Sequence, residues 1–166
     1  MPVHLLNRRT ILQSLAGLLL SSRSRAQNAE PVPSVEQTLT AFLTAFDNLD
    51  WPAFRAFFAP DATMFHPAAP NLRRLEASKA TPDAFEKAWL GVFARIQKES
   101  GRTQPPYMHL QPQNLRIDTL APNLALATFH LTQGSTLSRR SLLLRHTPDG
   151  WKIAHLHASN LPLPTP

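Results

Sequence analysis

The chain has 166 residues, with 17 basic and 11 acidic side chains, no cysteine and a formal net charge of +6. The absence of cysteine excludes disulfide bonds and thiolate chemistry, and the length suffices for one domain with a hydrophobic core. The charge is concentrated at the amino terminus, because the first 26 residues hold four of the 17 basic side chains and leave 13 against 11 acidic ones. The rest of the chain shows no basic stripe interleaved with aromatic residues, which argues against a nucleic-acid-binding protein.

An export signal is predicted for residues 1–26. Arg8 and Arg9 precede a short apolar run, and small residues around Ala26 offer a cleavage site. The arginine pair resembles that of a bacterial twin-arginine signal. We therefore expect a periplasmic protein that begins at Gln27 and has no stable membrane insertion after cleavage. A retained anchor or an amphipathic helix is the alternative.

The remaining chain is predicted to contain one domain. Residues 27–33 form a polar leader, residues 34–160 the domain, and residues 161–166 a Pro-rich tail that cannot form a helix or a central strand.

Two helices are predicted at the start of the domain. Ser34 and Gln37 form a capping box, and apolar residues then recur at helical spacing as far as Leu49. Asp50 caps a second, short helix, and Pro60 is expected to end it.

A brief strand at residues 63–66 and a third helix are predicted next. The sequence Thr81-Pro82-Asp83 combines a cap, a proline at the first helical position and an acid that the helix dipole favours. The third helix should end at Gly101.

Beyond Gly101 the apolar residues alternate with period two, which predicts strands. The predicted strands are 107–110 with 115–120, 124–132, 137–146 and 151–159. Turns are expected at residues 121–123 and 147–150. The predicted fold class is α+β, a cone-shaped barrel with three amino-terminal helices packed on a curved antiparallel sheet of four to five strands.

The last predicted strand carries two histidines. Alternation places Trp151, Ile153, His155 and His157 on one face, so this strand should begin in the core and end with two imidazoles in the cone. A histidine can act as a general base near neutral pH, and both are candidate catalytic residues. Two histidines do not make a metal site, and no metal or cofactor is predicted.

Aromatic residues along the helices and strands are candidates for the wall of a ligand cavity, with membership of the core as the alternative. The candidate ligand-binding residues are Trp51, Phe65, Trp89, Phe93 and Tyr107.

Charged residues supply fewer candidates. Arg140 and Arg145 lie on opposite faces of one predicted strand, so one of them can point into the cavity as an anion anchor or remain solvated. Asp47, Asp50 and Asp61 are interpreted as cap and turn residues near helix ends.

Two segments resemble a known family. Residues 46–65 resemble the helix-turn-helix-strand opening of the nuclear transport factor 2-like superfamily, and residues 150–159 resemble the closing strand of its SnoaL-like branch. The resemblance covers roughly residues 33–160 and implies the cone fold. The superfamily includes polyketide cyclases, ketosteroid isomerases, dehydratases, association domains and non-catalytic binders, so the fold does not define the function.

The resemblance implies an altered catalytic position. SnoaL-like cyclases carry an aspartate base two residues after a histidine on the last strand, and that position is His157 here, following His155. Ketosteroid isomerases use a tyrosine with a protonated aspartate, whereas Tyr107 has no acid near it in sequence.

The sequence leads to one expected function and two alternatives. We expect an exported domain that binds a small, largely apolar or carbonyl-containing molecule in its cone, with catalysis undecided. The alternatives are a small isomerase, cyclase or dehydratase with a histidine base, and a homodimerisation module. Candidate residues for the dimer face of the sheet are Leu124, Leu126, Leu143, Leu156 and Ala158.

Overall fold

The structure, a computed structural model, describes residues 33–67, 72–74, 84–133 and 135–163. The helices are α1 (Val35–Asp47), α2 (Trp51–Ala56) and α3 (Ala84–Ser100). The strands are β1 (Phe58–Phe65), β2 (Arg73–Arg74), β3 (Gln113–Ala121), β4 (Leu124–Gln133), β5 (Thr136–Thr147) and β6 (Gly150–Pro162). The predicted export signal and the predicted cap of the third helix at 81–83 lie outside the described residues and stay predictions.

The predicted starts of α1 and α2 are confirmed. The Ser34 amide donates to the Gln37 side chain at 2.7 Å, and the Gln37 amide donates to the Ser34 hydroxyl at 3.1 Å. Asp50 accepts from the backbone N–H of Ala53 at the start of α2. These three hydrogen bonds satisfy N–H groups that have no partner within the helix.

α2 ends earlier than predicted, and Pro60 does not terminate it. The chain enters β1 at Phe58, and the pairing of β1 with β6 is irregular between Phe58 and Thr63. A proline, which has no N–H to donate, is tolerated in such an irregular stretch of strand.

All six strands form one sheet in the order β2-β1-β6-β5-β4-β3. Strands β3 to β6 are an antiparallel meander, as the alternation predicts, and β6 begins at Gly150, whose φ of 91° suits glycine in the turn from β5. β1 pairs with β6 in parallel, so the sheet is mixed. The prediction of an antiparallel sheet of four to five strands is therefore wrong in this respect.

The arrangement of three amino-terminal helices is also corrected. α3 follows β1 and β2 along the chain. The short strand predicted at 63–66 is the end of β1, and its parallel pairing with β6 requires the long connection that contains α3 and β3 to β5. Alternation within one strand carries no information about such a distant partner.

The core lies between the helices and one face of the sheet, which we call the inner face. Phe54 and Met64 are 0% exposed, and Phe42 of α1 joins the same cluster. On the sheet side, Leu142 of β5 and Ile153 of β6 are 0% exposed. The opposite side of the sheet is called the outer face.

β6 extends into the predicted tail. Leu161 and Pro162 pair with Leu137 and Thr136 of β5. Pro162 is tolerated because it is the last residue of the strand. Among the helices of the described residues, none is long and apolar enough to cross a membrane.

Candidate functional site

A β-bulge at Ala154 decides where the two predicted catalytic histidines point. Consecutive residues Leu143 and Leu144 of β5 pair with His155 and Ile153 of β6, so Ala154 has no opposite residue. An extra residue of this kind reverses the alternation of side chains along the bulged strand.

The bulge corrects the predicted placement of His155 and His157. Beyond it, Leu156 and Ala158 are 2% and 5% exposed and continue the inner face. Successive side chains point to opposite faces, so both histidines lie on the outer face. The prediction that Leu156 and Ala158 belong to a dimer face is wrong for the same reason.

The histidines form an outer-face cluster with Thr63 and Phe65 of β1. Thr63 Oγ1 lies 2.8 Å from His155 Nδ1, and the Phe65 ring lies 5.8 Å from each imidazole. Burial, and secondarily the charge of His157, lower the pKa of His155, so this imidazole is neutral at pH 7. Phe65 belongs to this cluster and not to the cavity wall.

A cavity of about 420 Å³ lies between α1, α3 and the inner face of the sheet. This volume is near the lower end of the range for small-molecule sites. Much of its wall is aromatic or aliphatic, including Phe42, Phe46, Trp89, Phe129, Leu142 and Leu156. The wall suits a small apolar molecule.

Two of the five predicted ligand-binding residues line this cavity. Trp89 of α3 and Tyr107, in the segment after it, contribute to the wall. Trp51 and Phe93 instead lie together in the aromatic core, with ring centroids 6.2 Å apart. Helical spacing places such residues on the interior face of a helix, but it cannot distinguish a core position from a cavity position.

Arg140 supplies the cavity with a positive charge. It lies on β5 between Ser138 and Leu142, which also line the cavity. Burial lowers the pKa of the Arg140 guanidinium to about 10. This pKa is still well above 7, so the group is protonated at neutral pH. Arg145 lies on the outer face and binds Asp61 at 2.7 Å. Of the two arginines, Arg140 is therefore the one that can act as an anion anchor.

Further polar groups line the cavity. Ser138 Oγ donates to Asn160 Oδ1 at 2.8 Å, and both residues line the cavity. His66 also lines it, with its ring 5.9 Å from that of Trp89. The buried indole N–H of Trp89 has no acceptor among the described residues. The cavity thus has polar side chains as well as an apolar wall.

Asp47 positions one side of the cavity. Its carboxylate accepts hydrogen bonds from the backbone N–H groups of Met108, His109 and Leu110 at 2.6, 3.0 and 2.9 Å. Its own carbonyl accepts from the N–H of Tyr107 at 2.9 Å. Residues 107–110 therefore do not form the predicted strand, because their N–H groups bond to Asp47 and not to a neighbouring strand.

The described residues contain no group of three His, Cys, Asp or Glu side chains placed to hold a metal ion. The chemistry that the cavity offers is hydrogen bonding and charge pairing around an apolar volume. The predicted histidine base has no place in it, since His155 and His157 lie on the outer face.

A family comparison agrees with this architecture. The model of the SnoaL-like domain matches residues 35–164. The chain belongs to the SnoaL-like family. The predicted resemblance to this branch of the superfamily is thereby confirmed. A comparison with curated proteins gave no significant match.

Solved structures share the fold of this SnoaL-like domain. A protein of the NTF2-like family from Streptomyces avermitilis, proposed by its name to be a dehydratase, matches with a TM-score of 0.60 and 17% identity over 76% of this chain and 93% of that one. A protein from Parabacteroides distasonis, whose name proposes a ketosteroid isomerase, matches with a TM-score of 0.56 and 20% identity over 76% and 86% of the two chains.

A third structure has a different kind of name. It is a protein from Thiobacillus denitrificans whose name proposes a calcium/calmodulin-dependent protein kinase type II association domain. It matches the SnoaL-like domain with a TM-score of 0.57 and 25% identity over 80% of this chain and 99% of that one. The three names propose three different functions for one fold. The function of this domain must therefore be argued from its site.

Sequence reasoning missed three polar residues of the cavity. Ser138 and Asn160 follow the inner-face alternation of Leu142 and Ala158, so the correct register alone would have found them. His66 is the third. Its position immediately after β1, at the edge of the inner face, was not visible from local periodicity.

Proposed function

We propose that this SnoaL-like domain binds a small, largely apolar molecule in the cavity between its helices and the inner face of the sheet. The observation that carries the proposal is the cavity of about 420 Å³ with its aromatic and aliphatic wall. Burying the apolar surface of a ligand against that wall supplies the driving force, at roughly 25 cal/mol per Å² before the costs of association.

Filling the cavity should weaken binding of the apolar ligand. Ala158 lines the cavity and is 5% exposed, so Ala158→Phe places a ring inside it. The affinity for the neutral fluorescent probe N-phenyl-1-naphthylamine should fall at least about tenfold, a loss of roughly 1.4 kcal/mol. A fluorescence titration measures this loss, and native mass spectrometry of the purified protein shows any retained ligand.

The matched control is Leu120→Phe, because Leu120 is 54% exposed on β3. The control should bind the probe like the wild type. Circular dichroism separates lost binding from lost folding, since overpacking costs about 1–3 kcal/mol. Equal probe affinity in wild type and a folded Ala158→Phe variant would contradict the proposal.

Catalysis with a histidine base is less well supported than binding. His155 and His157 lie outside the cavity, and His66 is the histidine that lines it. A reaction in this cavity would therefore depend on a residue other than the two that the family resemblance indicates.

Homodimerisation through the outer face is a second candidate function. Leu126 and Leu143 are cross-strand partners at the middle of that face, and both are only half-buried. A structural relative whose name proposes an association domain favours the same use of the fold. We propose that a second copy of the chain covers these two residues.

A charge on the outer face should separate such a dimer. Leu126→Glu should raise the dimer dissociation constant at least about tenfold, because the carboxylate would be desolvated in the interface. Analytical ultracentrifugation measures the constant. Leu90→Glu, at a 40% exposed position on α3, is the control and should leave it unchanged. A wild-type protein that stays monomeric at micromolar concentration would rule the dimer out.

A further inference from the structure

We propose that the cavity binds a small monocarboxylate, with its carboxylate on Arg140 and its apolar body against the aromatic wall. This inference rests on the proposed function and adds the chemical class of the ligand.

The surroundings of Arg140 are the first argument. Its cross-strand partners on the inner face are Phe129 of β4 and Ala158 of β6, which are 3% and 5% exposed, and Leu142 follows it on β5. A guanidinium beside apolar side chains is unfavourable unless an anion or hydrogen-bond acceptors compensate its lost hydration. Such an arrangement in a cavity is typical of a binding site.

The protein does not supply the compensating anion from its described residues. The ion pairs described there join Arg116 to Asp118 and Arg145 to Asp61. Glu99 lines the cavity from α3, but it is exposed and forms no ion pair with Arg140. Among the described residues, no carboxylate therefore neutralises this guanidinium.

The hydrogen bonds of Arg140 define which edge of the guanidinium is available. Nη1 donates to the carbonyl of Arg139 at 2.9 Å and to the carbonyl of Ser159 at 3.4 Å. These bonds orient the group through one nitrogen. Nε and Nη2 have no acceptor among the described residues. They form the edge of the guanidinium that can donate two parallel hydrogen bonds to a carboxylate.

Charge and shape favour a monoanion over a phosphate. Arg140 has one free edge and one positive charge, so a ligand with a single negative charge neutralises it. A dianion would leave one unpaired negative charge near the apolar wall. At the rim, exposed Arg95 and Glu99 line the cavity with opposite charges and add no net charge.

Calorimetric titration with a matched pair of probes tests the inference. The carboxylate probe is 4-phenylbutyrate, and the neutral probe of the same shape is 4-phenylbutanamide. The wild type should bind the carboxylate at least about tenfold more tightly, as expected for a bidentate charge-assisted contact. Arg140→Met should remove this preference. Arg140→Lys should keep only part of it, because lysine retains the positive charge but lacks the paired N–H donors of the guanidinium.

Arg139→Met is the control for net charge. Arg139 is exposed on the outer face of the same strand, and its side chain donates to Ser159 Oγ. This variant should keep the preference for the carboxylate. The Tm of Arg140→Met should not fall below that of the wild type, because a methionine suits the apolar surroundings better than an unpaired guanidinium.

The outcomes separate this inference from the proposed function. If the amide binds the wild type as tightly as the carboxylate, or if Arg140→Met keeps the preference, the carboxylate inference is overturned. Binding of N-phenyl-1-naphthylamine would then still support the apolar cavity as a binding site. If neither phenyl probe nor the naphthylamine binds, both proposals fail.

Discussion

Replacing Phe54 by alanine should lower the free energy of unfolding by about 3–5 kcal/mol, a large part of the roughly 5–15 kcal/mol that is typical of a folded domain. Phe54 is 0% exposed and lies at the centre of the aromatic core. Its ring centroid is 5.0 Å from that of Phe42 of α1 and 4.7 Å from that of Trp89 of α3. Loss of this ring leaves a cavity at the point where all three helices meet the core. Urea denaturation followed by circular dichroism measures the change.

The control for this prediction is Phe65→Ala. The same atoms are removed, but Phe65 is 40% exposed on the outer face. Its loss should cost less than about 1 kcal/mol, as is usual for surface substitutions. Similar losses in the two variants would show that the aromatic cluster around Phe54 does not hold the helices on the sheet.

Replacing Asp47 by asparagine should lower the free energy of unfolding by about 3 kcal/mol. The carboxylate is 8% exposed and accepts three backbone N–H groups, and the amide that replaces one oxygen cannot accept. Hydrogen bonds to a charged group contribute about 1.5–3 kcal/mol each, and a buried N–H left without an acceptor adds to the loss.

Hydrogen exchange distinguishes this local effect from a general one. In Asp47→Asn the backbone amides of Met108, His109 and Leu110 should exchange faster than in the wild type. This increase in exchange rate should be larger than the increase for the amides of the central strand β5. Asp118→Asn is the control, because Asp118 forms a surface ion pair with Arg116 that contributes little. Unchanged protection at 108–110 would mean that another contact holds this wall of the cavity.

Local sequence signals predicted those elements whose causes are local. The capping box at Ser34, the cap at Asp50 and the turn before Gly150 all depend on residues within four positions of one another. The meander of β3 to β6 follows from alternation and short turns, and the SnoaL-like resemblance of the two end segments was confirmed over residues 35–164. Contacts of this kind are encoded in neighbouring residues, so they can be deduced without the fold.

The candidate site was decided by tertiary structure. One unpaired residue, Ala154, moves His155 and His157 to the outer face, and Arg140 is the charged residue that the inner face of β5 brings to the cavity. Alternation cannot reveal a bulge, because the bulge depends on the pairing with β5. The parallel pairing of β1 with β6 likewise depends on a distant partner.

Asp47 shows the same limit at the level of one side chain. Its position at the end of α1 suggested a cap or turn residue, and its carboxylate instead binds backbone groups about 60 residues later in the chain. The sequence by itself determined the family, most of the elements and the aromatic character of the interior. Which aromatic residues line a cavity, which charge enters it and which histidines stay outside were decided by long-range pairing, since those features depend on residues that meet only in the folded chain.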